Sequence, residues 1–300
     1  MNTHPLMLGI VGDSATGRVT LTSGIVRVLG RKGVTPLCLD DYHRYSRSER
    51  AAQGLTPLDP TTNNLELMTR HLSLLRRGEN ITKPIYDHRS GAMRGPELVR
   101  ATSLVIAYGL LPLSTPELAG LFDFTAYLDP APDLQRHWKI QRDVARRGYT
   151  PEQVLAEREA RERDAARYLK PQRQSADMVV RFFPPPGVAA AQADPHHLSV
   201  EVTLRHRPGQ VTLLTSLTKL GQKSPASSKY VEVQTDFVDE DGRTSDRLVY
   251  HSTSARWFEH PQLDMLGNFP SEHGLIHSDS LALVQLLMIQ VLEQIRRNPF

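Results

Sequence analysis

The chain has 300 residues, 39% hydrophobic and 23% charged, an ordinary composition for one large domain or a domain with an appended module. A formal net charge of +3 is too small an excess to argue for a nucleic-acid partner. It fits a protein that gathers Arg and Lys at one site for phosphorylated small molecules, and the single cysteine, Cys38, excludes an intrachain disulfide or dithiol switch.

Residues 6–11 are a short apolar run closed by Gly12, which predicts a buried strand. Residues 12–17 are turn-prone. Leu21, Ile25, Val28 and Leu29 then recur at helical spacing until Gly30 or Gly33 ends the pattern. Residues 34–39 predict a second strand with Cys38 buried in it. Strand, glycine-containing loop, helix and strand make one βαβ unit. Leu65, Met68, Leu72 and Leu75 space another helix, and 103–106 and 124–128 read as buried strands. Residues 131–147 and 151–168 read as charged helices, the second opened by Pro151, which suits a first helical turn. Residues 178–183 are a further strand. The alternation implies an α/β fold with a mostly parallel sheet flanked by helices.

The composition shifts at Pro184, Pro185, Pro186 and Gly187, a natural linker that divides 1–186 from 187–300. Beyond it Leu198, Val200, Val202 and Leu204 alternate with polar residues. Val231, Val233 and Phe237 lead into a turn signal at 239–242 and a strand at 243–250. This predicts a small antiparallel β module. An amphipathic helix over 281–295 follows, with Asp279 near its start and Arg296 and Arg297 at its end, and it is expected to pack back on the core. His196, His197, His206, His251, His260, His273 and His277 lack metal-ligand spacing with nearby Cys or carboxylates, so they are expected to be structural or exposed and no metal ligand is assigned. Residues 7–11 are too short for a signal-peptide core, and no run approaches the roughly 18 apolar residues of a membrane span. The expectation is a cytoplasmic protein with no membrane partner.

The first candidate site is Gly12, Asp13, Ser14, Ala15, Thr16, Gly17, Arg18, Val19 and Thr20. A phosphate loop of the Gly-x-x-x-x-Gly-Lys-[Ser/Thr] kind turns backbone N–H groups toward phosphate oxygens; its Lys reaches the outer phosphates and its hydroxyl binds Mg²⁺. Both glycines stand here between a strand and a helix, but Arg18 holds the Lys position and Val19 the hydroxyl position. Two alternatives stay open. The loop cradles a phosphate through its N–H groups and the helix N-terminus, with Arg18 keeping the positive charge. Or it is a relic turn that binds nothing.

The segments that follow resemble one family. Leu39-Asp40-Asp41-Tyr42-His43-Arg44-Tyr45-Ser46-Arg47 is similar to the stretch after the second strand of phosphoribulokinases. So are Leu58-Asp59-Pro60 with Asn63 and Asn64, and Lys83-Pro84-Ile85-Tyr86-Asp87-His88. Trp138-Lys139-Ile140-Gln141-Arg142-Asp143 with Arg146-Arg147-Gly148-Tyr149, and Pro171-Gln172-Arg173 with Ala176-Asp177, complete the series in the family's order. The resemblance covers roughly residues 8–183, with a weaker echo at 278–292. It implies transfer of the γ-phosphate of ATP to a hydroxyl of ribulose 5-phosphate. It implies Asp40 as the base that accepts the hydroxyl proton, and Asp143 as an acidic residue of the active site. His43, Arg47, Tyr86, His88, Lys139, Arg142 and Arg147 are implied as substrate contacts, although His88 reads equally as a loop histidine. Arg173 is implied near the nucleotide. ATP and Mg²⁺ are the implied cofactors, and a dimer built through edge strands is implied by analogy.

A second departure lies at residues 105–113, Val-Ile-Ala-Tyr-Gly-Leu-Leu-Pro-Leu. The family's third strand ends in a Glu that helps hold Mg²⁺; Tyr108 stands in that place, and Leu111 replaces a His. Three groups that manage metal and γ-phosphate charge have therefore changed together, at Arg18, Val19 and Tyr108, while the substrate-side residues remain. Two functions are weighed: an active sugar-phosphate kinase, and a pseudokinase that holds a phosphorylated metabolite or nucleotide in a regulatory role. A related kinase with another acceptor is a third, which the sugar-phosphate blocks disfavour.

Overall fold

In the computed structural model of the chain, residues 4–206, 231–252, 265–271 and 274–297 are described. Chain order runs β1 (Leu6–Gly12), α1 (Arg18–Leu29), β2 (Val34–Cys38), α2 (Arg47–Ala52), α3 (Leu65–Arg76), β3 (Ile81–Asp87) and β4 (Ala92–Val99). It continues with β5 (Leu104–Gly109), α4 (Pro116–Ala119), β6 (Phe124–Leu128), α5 (Pro132–Arg147), α6 (Pro151–Asp164), α7 (Gln172–Ser175) and β7 (Met178–Phe183). Then come β8 (Ser199–Arg205), β9 (Val231–Val238), β10 (Thr244–Tyr250), β11 (Asn268–Ser271), β12 (Gly274–His277) and α8 (Asp279–Arg297). The fold is α/β, with a mostly parallel sheet flanked by helices and antiparallel strands toward the C-terminal end.

The chain divides into two compact units. The first takes residues up to 18, 30–126 and 138–176; the second takes 19–29, 127–137 and the chain from 177 onward. In the first unit the strand order is β2-β5-β1-β6. Strand β5 lies parallel to both neighbours, with Leu104 opposite Val34 on one side and Leu6 on the other. Leu8, Ile10, Val105 and Ile106 have no exposed surface. Their unbroken apolar runs suit parallel strands covered on both faces. Helix α3 is capped by the Asn64 side chain, which accepts from the Leu67 N–H, and it buries Met68, Leu72 and Leu75 as their spacing predicts.

The hairpin of β3 and β4 has no counterpart among the predicted elements. β4 is exposed along nearly its whole length, so no alternation marks it, and it contains Gly95 and Pro96, which disfavour strands. The pairing slips between Lys83 and Ile85, where Pro84 has no N–H to give. Helix α6 starts where Pro151 predicts it. Thr150 and Gln153 form a reciprocal capping box, and α-helical hydrogen bonding stops at Asp164, after which one π-helical stretch spans Ala165–Leu169.

In the second unit the order is β6-β7-β8-β10-β9. β7 pairs with β8, β8 with β10 and β10 with β9, all antiparallel. Val200, Val202 and Leu204 are buried, as the period-two pattern requires. Helix α8 buries Leu283, Val284, Leu287, Met288 and Val291. Gln285 on α8 accepts from the Gly267 N–H at 2.8 Å and donates to the Leu21 carbonyl at 3.3 Å. Gly24 of α1 makes room for it: a Cβ there would stand 1.8 Å from Gln285 Nε2. Of the histidines named above, His260 and His273 lie outside the described residues.

Candidate active site

Residues 13–17 link β1 to α1. Ala15 and Gly17 take positive φ, 64° and 93°, and a Cβ on Gly17 would meet nothing within 4 Å. The turn is closed by the Thr16 hydroxyl, which donates to the Asp13 carbonyl at 2.9 Å, and by the Ser14 N–H, which donates to Asp13 Oδ1 at 2.6 Å. Two arginines reach the loop from the helices that follow β6. Arg142 of α5 donates to Ser14 Oγ at 2.8 Å, and Arg161 of α6 pairs with Asp13 at 2.7 Å. Gly12 ends β1 and Thr20 lies in the first turn of α1. Val19 is 61% exposed.

Arg18 opens α1 and turns its guanidinium onto Asp40, with contacts of 2.9 and 3.4 Å. Asp40 sits in the 3₁₀ turn Leu39–Tyr42 that closes β2. Its Oδ1 also accepts the Leu110 N–H at 2.9 Å. Gly109 permits that approach, since a Cβ there would lie 2.8 Å from Leu39 Cβ and 3.1 Å from Asp40 Oδ1. Burial pushes the Asp40 carboxyl toward the neutral form. The Arg18 guanidinium, with His43 and His88 near by, outweighs burial and holds its pKa down at about 2. The neighbouring Asp41 is turned elsewhere: it accepts from Lys83 at 2.5 Å and from the Tyr86 N–H at 2.9 Å. Asp40 is thus the acid that meets the phosphate loop, and Asp41 pins the β3 hairpin.

Tyr86, His43 and His88 form an aromatic cluster. The Tyr86 ring meets His43 edge-on at 4.8 Å and His88 at 5.1 Å. The Tyr86 hydroxyl accepts from Arg50 at 2.9 Å. His43 Nδ1 lies 2.8 Å from Asn63 Oδ1, and burial pulls its pKa down to about 4. Burial also lowers the pKa of His88. Arg47 donates to the His88 carbonyl at 2.6 Å and lies over the Tyr149 ring.

Asp143 has no exposed surface and gathers three cations. Lys139 reaches it at 2.8 Å, Arg142 at 2.8 Å and Arg147 at 3.2 Å. Burial opposes its ionised form, but the Lys139 hydrogen bond and the Arg142 charge leave its pKa below the usual carboxylate range. Glu157 of α6 also reaches Lys139, at 3.4 Å, so two carboxylates face three cations and net positive charge remains. Arg146 of the same helix is exposed. Arg173 lies half-buried on the short helix α7.

The loop geometry fits a phosphate. The positions implied for Mg²⁺ do not fit that ion, which takes oxygen donors. Val19 offers an alkyl group. Tyr108 offers a phenol whose proton is held by burial and by the nearby carboxylates of Asp40 and Asp41. Cys38 lies half-buried at the end of β2. It brings one donor atom, with one each from Asp40 and His88, to within 4.8 Å of one another.

Three contributors escaped sequence reasoning. Arg161 and Glu157, which pair at 3.6 Å, sit on α6 among many exposed charges, and nothing in the sequence marks Arg161 as 6% exposed. Gln172 was visible only inside a family block. Its side chain accepts from the Leu113 N–H and donates to the Leu110 carbonyl, both at 2.8 Å, which fixes the segment whose N–H holds Asp40.

The model of the phosphoribulokinase / uridine kinase family matches residues 7–189. The phosphoribulokinase of Synechocystis sp. is 41% identical over 179 residues, 60% of this chain and 54% of that protein. The chloroplastic phosphoribulokinase of Spinacia oleracea is 34% identical over 196 residues, 60% of this chain and 49% of that one. The chain spans about half the length of the curated relatives it matches. Among solved structures, phosphoribulokinase from Rhodobacter spheroides superposes with a TM-score of 0.63 at 18% identity, covering 99% of this chain and 100% of that one. At that identity the likeness is one of fold.

Proposed function

The chain belongs to the phosphoribulokinase / uridine kinase family, and on that footing we propose that it transfers the γ-phosphoryl group of ATP to a hydroxyl of ribulose 5-phosphate, giving ribulose 1,5-bisphosphate. One observation carries the proposal: Asp40, ionised down to about pH 2, is in contact with the phosphate-loop cation Arg18. The phosphates of ATP lie along the N–H groups of the loop, with Arg18 and Arg142 as their cations. When phosphate takes over Arg18, Asp40 loses the contact that lowers its pKa most, and burial raises its proton affinity. It then accepts the sugar hydroxyl proton as the new O–P bond forms, the bond from the γ phosphorus to its bridging oxygen breaks, and ADP leaves. Asp143 is a positioning residue: it holds Arg142 for the phosphates of ATP, and Lys139 and Arg147 for the sugar phosphate. No step is routed through Mg²⁺, because Val19 and Tyr108 do not fit it.

The same two side chains favour a second reading, a protein that holds a phosphorylated metabolite or nucleotide without turnover. ADP release from ATP and ribulose 5-phosphate, with Mg²⁺ or Mn²⁺, separates the two. The kinase requires turnover that falls about 10²–10⁴-fold in Asp40→Asn. No ADP, together with calorimetric binding of ribulose 5-phosphate that Arg147→Gln abolishes, establishes the binding protein.

A further inference from the structure

The second unit contains a cluster that the phosphoryl-transfer site does not use. We propose that His206, Asp236 and Asp246 form a site for a divalent transition-metal ion of the zinc or cobalt class. His206 follows the last residue of β8, Asp236 lies in β9, and Asp246 lies in β10 where the pairing with β9 slips between Ser245 and Arg247. One donor atom from each of the three lies within 4.8 Å of the others.

Asp246 supplies the second observation. Its residue is 1% exposed, and its Oδ1 meets His206 Nε2 at 2.9 Å and the Asp236 N–H at 3.1 Å. Its Oδ2 is buried and has no hydrogen-bond partner among the described residues. A buried anionic oxygen without a partner is costly, and such groups in folded proteins often mark a bound ion. An imidazole and a second carboxylate stand beside the same carboxyl group, with Asp236 Oδ1 3.6 Å from His206 Nδ1.

The donor set selects the ion. Imidazole with two carboxylates suits borderline ions such as Zn²⁺, Co²⁺ and Mn²⁺. Without a thiolate it does not suit Cu(I), and an imidazole with few oxygens is a poor Ca²⁺ cage. Bonds of about 2.0–2.2 Å require the donors to draw in by roughly 1 Å. The Asp236 side chain, 76% exposed, supplies that movement without repacking a core. Three protein ligands leave the remaining positions to water. Bound this way, the ion ties together the strand ends that carry the three residues.

The test uses the full chain with Cys38→Ser, which takes the thiol from the Cys38, Asp40 and His88 group, after treatment with a chelator. Zn²⁺ is titrated by calorimetry, and Co²⁺ by its visible absorption. The expected result is one bound equivalent, a Co²⁺ spectrum of low-symmetry nitrogen and oxygen ligation, and a Tm that rises with free Zn²⁺. Asp236→Asn, at an exposed position that leaves folding intact, and His206→Gln should each weaken binding by about tenfold or more. No bound equivalent, or an affinity that neither variant changes, overturns the proposal and leaves the cluster a His–carboxylate pair.

Discussion

At the scale of single residues, Arg18 and Asp40 explain each other. A lysine ammonium in a phosphate loop is a point charge, whereas the Arg18 guanidinium forks onto both oxygens of Asp40. Removing the cation in Arg18→Ala leaves burial as the largest influence on Asp40, so its pKa must rise. The acid limb of the rate profile should move to higher pH, and a limb that stays in place would show that Arg18 does not control this carboxylate. His43 makes the second prediction at this scale. Its folded pKa is about 4 against an ordinary 6.5, so between those values only the unfolded chain binds the proton. His43 therefore contributes stability that is complete above 6.5 and is lost as the pH falls toward 4. His43→Gln should flatten Tm between those two pH values, measured by thermal unfolding in a buffer series. Sequence reasoning placed Asp40 beside Asp41 without separating them, because neighbouring side chains in an extended segment point opposite ways. Only the tertiary partners, Arg18 for one and Lys83 for the other, assign their tasks.

At the scale of elements, legibility followed burial. β1, β5, β6 and β7 are apolar runs, and α3 is a regular stripe, so each was visible in one pass along the chain. The β3–β4 hairpin was not, because β4 faces solvent and carries Gly95 and Pro96. The period-two strands beyond 187 were visible, but periodicity gives a strand's faces and not its partner, so the pairing of β8 with β7 could not be read. Helix α1 offers a test of packing against propensity. Gly24→Ala would gain up to about 1 kcal/mol from helix propensity. The new methyl group would strike Gln285, whose amide is already committed to Leu21 and Gly267. Overpacking of this kind costs about 1–3 kcal/mol, so the variant should be destabilised in urea unfolding. Gln285→Ala in the same chain should recover part of the loss, and Gly24→Ala alone raising stability would refute the close contact.

At the scale of the whole molecule, charge is close to balanced, with 36 basic against 33 acidic residues, so the chain has little general attraction for anions. Its basic character is local. Arg18, Lys139, Arg142 and Arg147 are held by Asp40 and Asp143, with Glu157 also on Lys139, three carboxylates against four cations. The sequence blocks implied Lys139, Arg142 and Arg147 as one group, but not that a carboxylate would hold them in place beforehand, since that depends on side-chain direction. A preassembled cation set should bind a polyphosphate without any metal, and this is testable by stability alone. Pyrophosphate at about 100 times its Kd should stabilise the chain by roughly 2.7 kcal/mol, through mass action on the folded state. Arg142→Gln should remove most of the Tm rise, because Arg142 bridges Ser14 and Asp143. Salt should weaken the effect only partly, since Arg18 and Lys139 are nearly buried and screening acts chiefly on exposed charges. A Tm rise of equal size in Arg142→Gln, or one abolished by modest salt, would place the anion on the outer surface. A rise that survives salt and depends on Arg142 would show that the phosphate loop binds a polyphosphate although Val19 and Tyr108 offer no carboxylate or hydroxyl suited to a metal.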